Sequence, residues 1–553
     1  MNGAHSNVAS RLAAFAAEAP ERPAVFMPQG RDRNGKRQYA SLTFRELDQD
    51  SDRLARGLRE LGVRPGTRLA LLVKPSIDFI SLVFALFKAG AVTILIDPGM
   101  GRKNLLACLE AAEPEGFVAI PAVQAVRTIL RRRFPQARHN VTVGRRWFWG
   151  GVTIDQLRGG PWTGAELAPT AADDPAAIIF TTGSTGPPKG VLYRHGNFDR
   201  QVTEIRDFYG IRPGEVDLAG FPLFGLFNAA MGVTTVIPDM DASRPASVDP
   251  ANIVEAVVDC QATQAFASPA VWNRVGPYCV ERGIRLPSLR RVLSAGAPVP
   301  PHVLESMMSV IGAGGEMHTP YGATESLPVA SIAASEVLAE TAELARQGAG
   351  TCVGRKFPGI EWKVIRAVEG PLATLADAEE LPQGEIGELI VRGPAVTREY
   401  ATRTEWNALS KIADGSDVWH RIGDVGYFDD RGRFWYCGRA AHRVRTPVGP
   451  MYTECCEAIF NNHPAVFRSA LVGIGQAGLQ RPVIVVEPRP GKMPQDEGSK
   501  QAFLEELRTL AASSPLTSAI ADFRFHPSFP VDIRHNAKIF REKLAAWAAA
   551  ARN

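Results

Sequence analysis

The amino-acid sequence predicts an α/β protein with a large N-terminal domain of several packed units, residues 1–438, and a small α+β C-terminal domain, residues 439–553. Three observations carry this reading. At 553 residues the chain is too long for one hydrophobic core, since domains run to roughly 150 residues. Helical and strand periodicities alternate through its first part. From Gly384 short strand-like runs take over, and past Arg439 a new strand, strand and helix pattern begins.

Taken in order, residues 7–21 form an amphipathic helix, with no basic segment and apolar run of a secretory leader before it. Residues 41–61 (SLTFRELDQDSDRLARGLREL) carry apolar side chains at helical spacing, Gly62 stops that helix, and residues 68–73 make a strand. Residues 79–96 are apolar enough to suggest a membrane span. Lys88 and Gly90 divide them, however, into a helix over 78–88 and a buried strand over 91–96 ending at Asp97 and Pro98, so no transmembrane segment is expected. AAIIF at 176–180 is a strand, DLAGFPLFGLFN at 217–228 runs from strand to helix, and 336–346 is a helix without chemistry. Strands are expected near 467–472 and 482–486, and a helix over 500–513.

A hydrophobic content of 45% with 22% charged residues describes an ordinary globular protein with ample core. The net charge of +4 is small for this size and does not imply a nucleic-acid partner. One stretch departs from that balance: seven arginines fall between Arg127 and Arg146, beside Phe134, Trp147, Phe148 and Trp149. It reads as a solvated surface, an anionic-membrane contact or a protein contact. Seven cysteines without a C-x-x-C pair or framework spacing fit a reducing cytoplasm.

The chemistry centres on TTGSTGPPKG at 181–190. The hydroxyls of Thr181, Thr182, Ser184 and Thr185, with the backbone freed by Gly183 and Gly186, make a concave donor surface suited to a polyphosphate. Lys189 adds a positive charge at its far end, and Pro187 and Pro188 stiffen the approach. The spacing is not G-x-x-x-x-G-K-[ST], because Lys189 is followed by glycine, which disfavours a Walker-type NTPase.

Further stretches accompany it. In RVLSAGAPVPP, Gly296 and Ala297, followed by Pro298, let backbone lie against a flat base; in MHTPYGATE, Tyr321, followed by Gly322, offers a ring face to stack on it. With HRIGDVGYFDDRGRFWYCGR and FPVDIRHNAKIFREKLAAW, these strings resemble the adenylate-forming superfamily of acyl-CoA synthetases, nonribosomal-peptide adenylation domains and luciferases. That resemblance implies a large domain whose mixed sheets sandwich helices and a small domain that rotates as a mobile lid. It implies ATP with adenine as the base, Thr324 as a donor to the α-phosphate and Glu325 as an oxygen ligand of Mg²⁺. It further implies Asp424 on the ribose hydroxyls, Arg439 on ribose or phosphate, and Lys538 entering the active site as a catalytic cation. Outside that context Asp424 is a turn aspartate and YGATE a loop before a helix cap. Phe221, Phe224 and Phe227 correspond to the acyl pocket, with plain core packing the alternative, and Gly225, where many relatives carry histidine, would widen that pocket.

The likeness breaks after Arg439. His442 occupies the hinge position, as a structural residue or a base, and Pro447, Gly449 and Pro450 sit in an altered loop whose spacing to Glu457 departs from the CoA-guiding pattern. With IIFTTGSTGPPKGVLYRHGNF and FPLFGLFNAAMG, the chain resembles the β-lactone synthetases of bacterial long-chain olefin biosynthesis. This implies that a 2-alkyl-3-hydroxyalkanoic acid is activated as acyl-AMP and closed by its own β-hydroxyl to a β-lactone. Thiolase, reductase and β-lactone decarboxylase enzymes are the implied pathway neighbours. The competing readings are a long-chain acyl-CoA synthetase or acyl-AMP ligase, and an adenylate-binding subunit that scaffolds partners through the arginine-rich stretch.

Overall fold

The computed structural model describes residues 6–159, 167–180, 187–531 and 539–550, the side chains of Pro98 and Pro222 excepted. Among these, a seven-stranded sheet has six strands joined in parallel around Arg68–Leu72, the last of them Pro175–Phe180 alongside Val92–Leu95, and Gly190–Arg194 closes one edge antiparallel. A fourteen-stranded sheet is parallel from Pro23–Arg31 to Glu316–Ala323 and antiparallel beyond it. The sheets are therefore mixed, as the sequence implies.

Local chemistry explains the elements between them. Helix Phe44–Glu60 starts where Thr43 accepts from the Glu46 N–H at 3.2 Å and Glu46 accepts from the Thr43 N–H at 2.8 Å, a reciprocal cap. It ends at Gly62, whose φ of +100° suits only glycine. Helix Ile77–Lys88 is buried from Phe79 to Lys88, and its core takes in side chains from both large sheets, including Leu69, Ala177, Val25 and Phe266. This is why its stretch reads like a membrane span. Lys88, 1% exposed, is ion-paired with Asp48 at 2.6 Å and Asp52 at 2.5 Å, so the charge buried there has partners. Among the described residues no helix is long and apolar enough to cross a membrane.

Residues after Arg439 build a three-stranded sheet, Val466–Ile474, Arg481–Pro488 and Asp522–Phe525, with Thr453–Asn461 and Glu497–Ala512 packed on it around Phe460, Leu471 and Leu507. The altered loop is a hairpin, Val444–Thr446 paired with Gly449–Met451. Expected helix 336–346 is present but contains a π turn over Val337–Thr341.

Strand Val216–Ala219 leads into helix Pro222–Ala230, and buried Asp217 fastens the two by accepting from Asn228 at 2.6 Å. Burial pushes the Asp217 carboxyl up to about 6. A carboxyl raised in the fold binds its proton there more tightly than in the unfolded chain, so its stabilising contribution is lost as pH rises from about 4 to about 6. Asp217→Asn should remove that loss: the melting-temperature difference between variant and wild type should shift in the variant's favour between pH 4 and pH 7, by roughly 2 kcal/mol in stability.

Candidate active site

One cavity of about 2160 Å³ opens at the carboxyl ends of parallel strands in both large sheets. It exceeds the 300–1,000 Å³ or so of ordinary small-molecule sites, so more than one small ligand fits in it. Lys189, Gly296, Ala297, Pro298, Tyr321 and Gly322 line it, as do Thr324, Glu325, Asp424 and Arg439. Residues separated by up to 250 positions thus face one space. Thr181, Thr182, Gly183, Ser184, Thr185 and Gly186 of the phosphate loop, and Lys538, lie outside the described residues.

Asp424 and Arg439 are directly opposed on neighbouring strands Asp417–Phe428 and Phe434–Arg439. The Arg439 guanidinium donates to Asp424 Oδ1 at 2.5 Å, and the Tyr321 hydroxyl donates to Oδ2 at 2.5 Å. Asp424 is therefore a buried acceptor rather than a free turn aspartate. Burial and the Asp424 charge hold the Tyr321 phenol well above its usual range, so it stays a donor. Gly296 sits at φ +97° on the cavity wall, a conformation a side chain would strain.

The YGATE segment is the turn of a hairpin between Glu316–Ala323 and Ser326–Ala333, not the start of a helix. Thr397 donates through its N–H and its hydroxyl to the Glu325 carbonyl, both at 2.9 Å, and the Tyr193 hydroxyl donates to the Thr324 carbonyl. Glu325 Oε1 accepts from the Tyr400 hydroxyl at 2.7 Å. Lys189 Nζ approaches the same hydroxyl at 3.2 Å and lies 4.6 Å over the Trp406 ring. Burial lowers the Lys189 pKa, and Glu325 opposes the shift. A carboxylate and an ammonium are thus held side by side on the cavity wall. Among the described residues no group of three or more His, Cys, Asp or Glu forms a metal cage. A lone Glu325 suits a Mg²⁺ that keeps waters and takes its remaining ligands from phosphates.

Phe221, Phe224 and Phe227 line one apolar arm of the cavity, where Phe224 stacks on Phe266 with centroids 3.8 Å apart. Gly225 corrects the expectation placed on it. It is not among the lining residues, and a Cβ there would meet Thr235 at 3.2 Å and Ala219 at 3.6 Å, so its smallness seats the helix on the sheet instead of widening the pocket. Sequence reasoning did not single out Tyr400 or Lys411, whose ammonium donates to the Thr397 carbonyl beside Glu325 and whose pKa burial lowers to about 7. Glu454, a cavity residue whose carboxyl burial raises to about 7, also went unmarked. None sits in a recognisable string. His442 lines the cavity from the short turn Ala440–His442.

A family model described as AMP-binding enzyme matches residues 12–401. The chain belongs to the AMP-binding enzyme family. Two relatives named Olefin beta-lactone synthetase, from Xanthomonas campestris pv. campestris and Stenotrophomonas maltophilia, are 47% and 46% identical to it, each over 98% of this chain and over 97% and 98% of their own lengths. The fold matches that of the amide bond synthetase McbA from Marinactinospora thermotolerans, with TM-score 0.78 and 23% identity over 98% of this chain and 99% of that one. It also matches O-succinylbenzoate coenzyme A synthetase from Bacillus subtilis in complex with ATP and magnesium ion, with TM-score 0.71 and 22% identity over 97% and 98%. The chain is an AMP-forming ligase by membership of this family.

Tyr321→Phe should weaken ATP binding about tenfold to a hundredfold, the worth of one hydrogen bond to a charged group. Calorimetric titration with ATP checks this, and an unchanged Kd would overturn the expectation that Asp424 contacts the nucleotide.

Proposed function

We propose that this AMP-forming ligase converts a 2-alkyl-3-hydroxyalkanoic acid to a β-lactone in long-chain olefin biosynthesis. The observation that carries the reading is near-full-length identity of 47% and 46% to two relatives named Olefin beta-lactone synthetase. A cavity with both a polar nucleotide-sized wall and a phenylalanine-lined arm supports it.

In the first step the substrate carboxylate attacks the α-phosphorus of ATP, and the bond to pyrophosphate breaks. Tyr321 stacks on adenine against the backbone at Gly296, Ala297 and Pro298, with Gly322 beside it. Asp424, oriented by Tyr321 and Arg439, accepts from the ribose hydroxyls. Thr324 donates to the α-phosphate, while the loop from Thr181 to Gly186 and Lys189 cradle the other phosphates. Glu325 would hold Mg²⁺, which supplies charge neutralisation across the phosphates when bound. Lys538 brings an ammonium to the meeting point of carboxylate and α-phosphate, offsetting charge as two anions approach. Residues 439–553 act as the lid that delivers it, hinged near His442.

In the second step the β-hydroxyl oxygen attacks the activated carbonyl carbon, the acyl–phosphate bond breaks, AMP departs with the bonding electron pair, and the hydroxyl proton is released to water. A hydroxyl already tethered to the carbonyl competes with an external thiol at effective molarities reaching about 10⁵ M in well-oriented cases. Four-membered ring strain opposes closure, so the site must hold the hydroxyl near the carbonyl and exclude water. The hairpin Val444–Thr446 and Gly449–Met451, standing where the CoA-guiding loop is expected, supports a reaction that needs no thiol. A cytoplasmic setting and association with the thiolase, reductase and β-lactone decarboxylase of the same pathway belong to this reading.

A second reading, an acyl-CoA synthetase, has a specific basis: a feruloyl-CoA synthase from Amycolatopsis is 27% identical over 78% of this chain. Incubation of the enzyme with ATP and a 2-alkyl-3-hydroxy acid, without CoA, separates the two. Full turnover to AMP and lactone, identified by NMR, is expected; turnover that requires CoA would overturn the lactone reading. Lys538→Ala should slow acid-dependent pyrophosphate exchange by about 10²- to 10³-fold, as loss of one preorganised electrostatic group does.

A further inference from the structure

We propose that the arginine- and aromatic-rich face formed by helix Pro121–Ile129, the turn Arg131–Arg133 and the loop 143–151 docks the protein on an anionic lipid surface. Residues 116–154 contain seven arginines and no aspartate or glutamate, whereas the whole chain carries only +4. The rest of the molecule is therefore net negative, and the positive field is concentrated on one face. Arg131, Arg132, Arg145 and Arg146 are exposed and form no ion pair with a described carboxylate; within the patch Arg133 pairs with Glu110.

The same face carries apolar side chains that folding leaves in water. Phe148 is 73% exposed and Trp147 65%, the most exposed phenylalanine and tryptophan among the described residues, and Ile129 (77%) and Val126 (55%) share one side of the helix at i, i+3 spacing. These rings are presented rigidly. Buried Trp149 donates from its indole N–H to Thr142 Oγ1 at 2.9 Å, stacks on Trp147 at 6.2 Å and meets Phe148 edge-on at 5.1 Å. The helix is fixed to the sheet by buried Gln124, which donates to the Phe117 and Val141 carbonyls at 3.0 and 2.8 Å. A Cβ on Gly144 would lie 3.6 Å from the Pro121 ring, so loop and helix adjoin.

Exposed rings on a loop, flanked by arginines that form no ion pair with a described carboxylate, suit a headgroup layer, where amphipathic aromatics settle and each basic side chain gains from anionic lipid. A protein partner would instead call for a continuous packed apolar centre. The start of this helix reaches the active site: Ile120 and Val123 line the cavity that holds Tyr321 and Glu325. An acid with two alkyl chains, poorly soluble in water, would on this proposal reach that cavity from beside the docking face. The choice of a lipid surface rests in part on the proposed substrate.

The test uses the full chain and vesicles of phosphatidylcholine alone or with a third phosphatidylglycerol. Wild type should co-sediment with the anionic vesicles and not the neutral ones, with release by high salt. Arg145→Glu/Arg146→Glu should reduce the bound fraction about tenfold. Trp147→Ser/Phe148→Ser should also reduce it and abolish the vesicle-induced blue shift of tryptophan emission. Both double variants should release AMP from a short, soluble acid at the wild-type rate. Equal binding to both vesicle types, no binding to either, or wild-type binding by both variants overturns the proposal, as does binding of an acidic protein or heparin without vesicle binding. The assay needs no turnover, so its failure leaves the lactone reading standing, and absence of lactone leaves the docking face standing.

Discussion

Asp424 is a buried carboxylate held by two partners that arrive from different parts of the fold. Arg439 reaches it across a strand pair, and Tyr321 reaches it from the strand where the large sheet changes from parallel to antiparallel. An unpaired carboxylate buried to this degree would cost several kcal/mol or take up a proton. Here the arginine pairs with one carboxylate oxygen and the phenol donates to the other. Because both groups also line the cavity, one electrostatic requirement fixes the spacing between the aromatic face and the polar wall. The adjoining Glu325, Tyr400 and Lys189 group repeats the principle, with a carboxylate and an ammonium sharing one tyrosine hydroxyl.

The apolar arm shows how packing and substrate space are divided within one short helix. Phe221, Phe224 and Phe227 turn toward the cavity, whereas Gly225 turns toward Thr235 and lets the helix settle on its sheet. A glycine read as emptied space in one dimension is filled by a neighbour in three. Helix Ile77–Lys88 is a related case: an apolar run broken by one lysine is a buried helix between two sheets, and Asp48 and Asp52 of the neighbouring helix make the lysine tolerable there.

Much of this was legible before any coordinates. Helices at residues 44–60 and 77–88, the alternation with strands, and the strand entering the phosphate-loop string follow from periodicity and from local stops such as Gly62, because those signals lie within a few residues of one another. The motif strings located Tyr321, Thr324, Glu325, Asp424 and Arg439, and the structure brings them to one cavity. Tyr400, Lys411 and Glu454 left no trace in the sequence, since the contact of Tyr400 with Glu325, that of Lys411 with the Thr397 carbonyl and the burial of Glu454 arise only on folding.

By itself, then, the sequence determined the α/β class, the membership of an AMP-binding family and the strings whose described side chains line one cavity, since these reside in short-range pattern and residue chemistry. Only the tertiary structure decided that Asp424 is already engaged by Tyr321 and Arg439, that Gly225 faces the sheet, and that Trp149 is buried while Trp147 and Phe148 are not. Those outcomes depend on which distant surfaces meet, and burial, the quantity that sets the energetic weight of a charge or a ring, exists only once they have met.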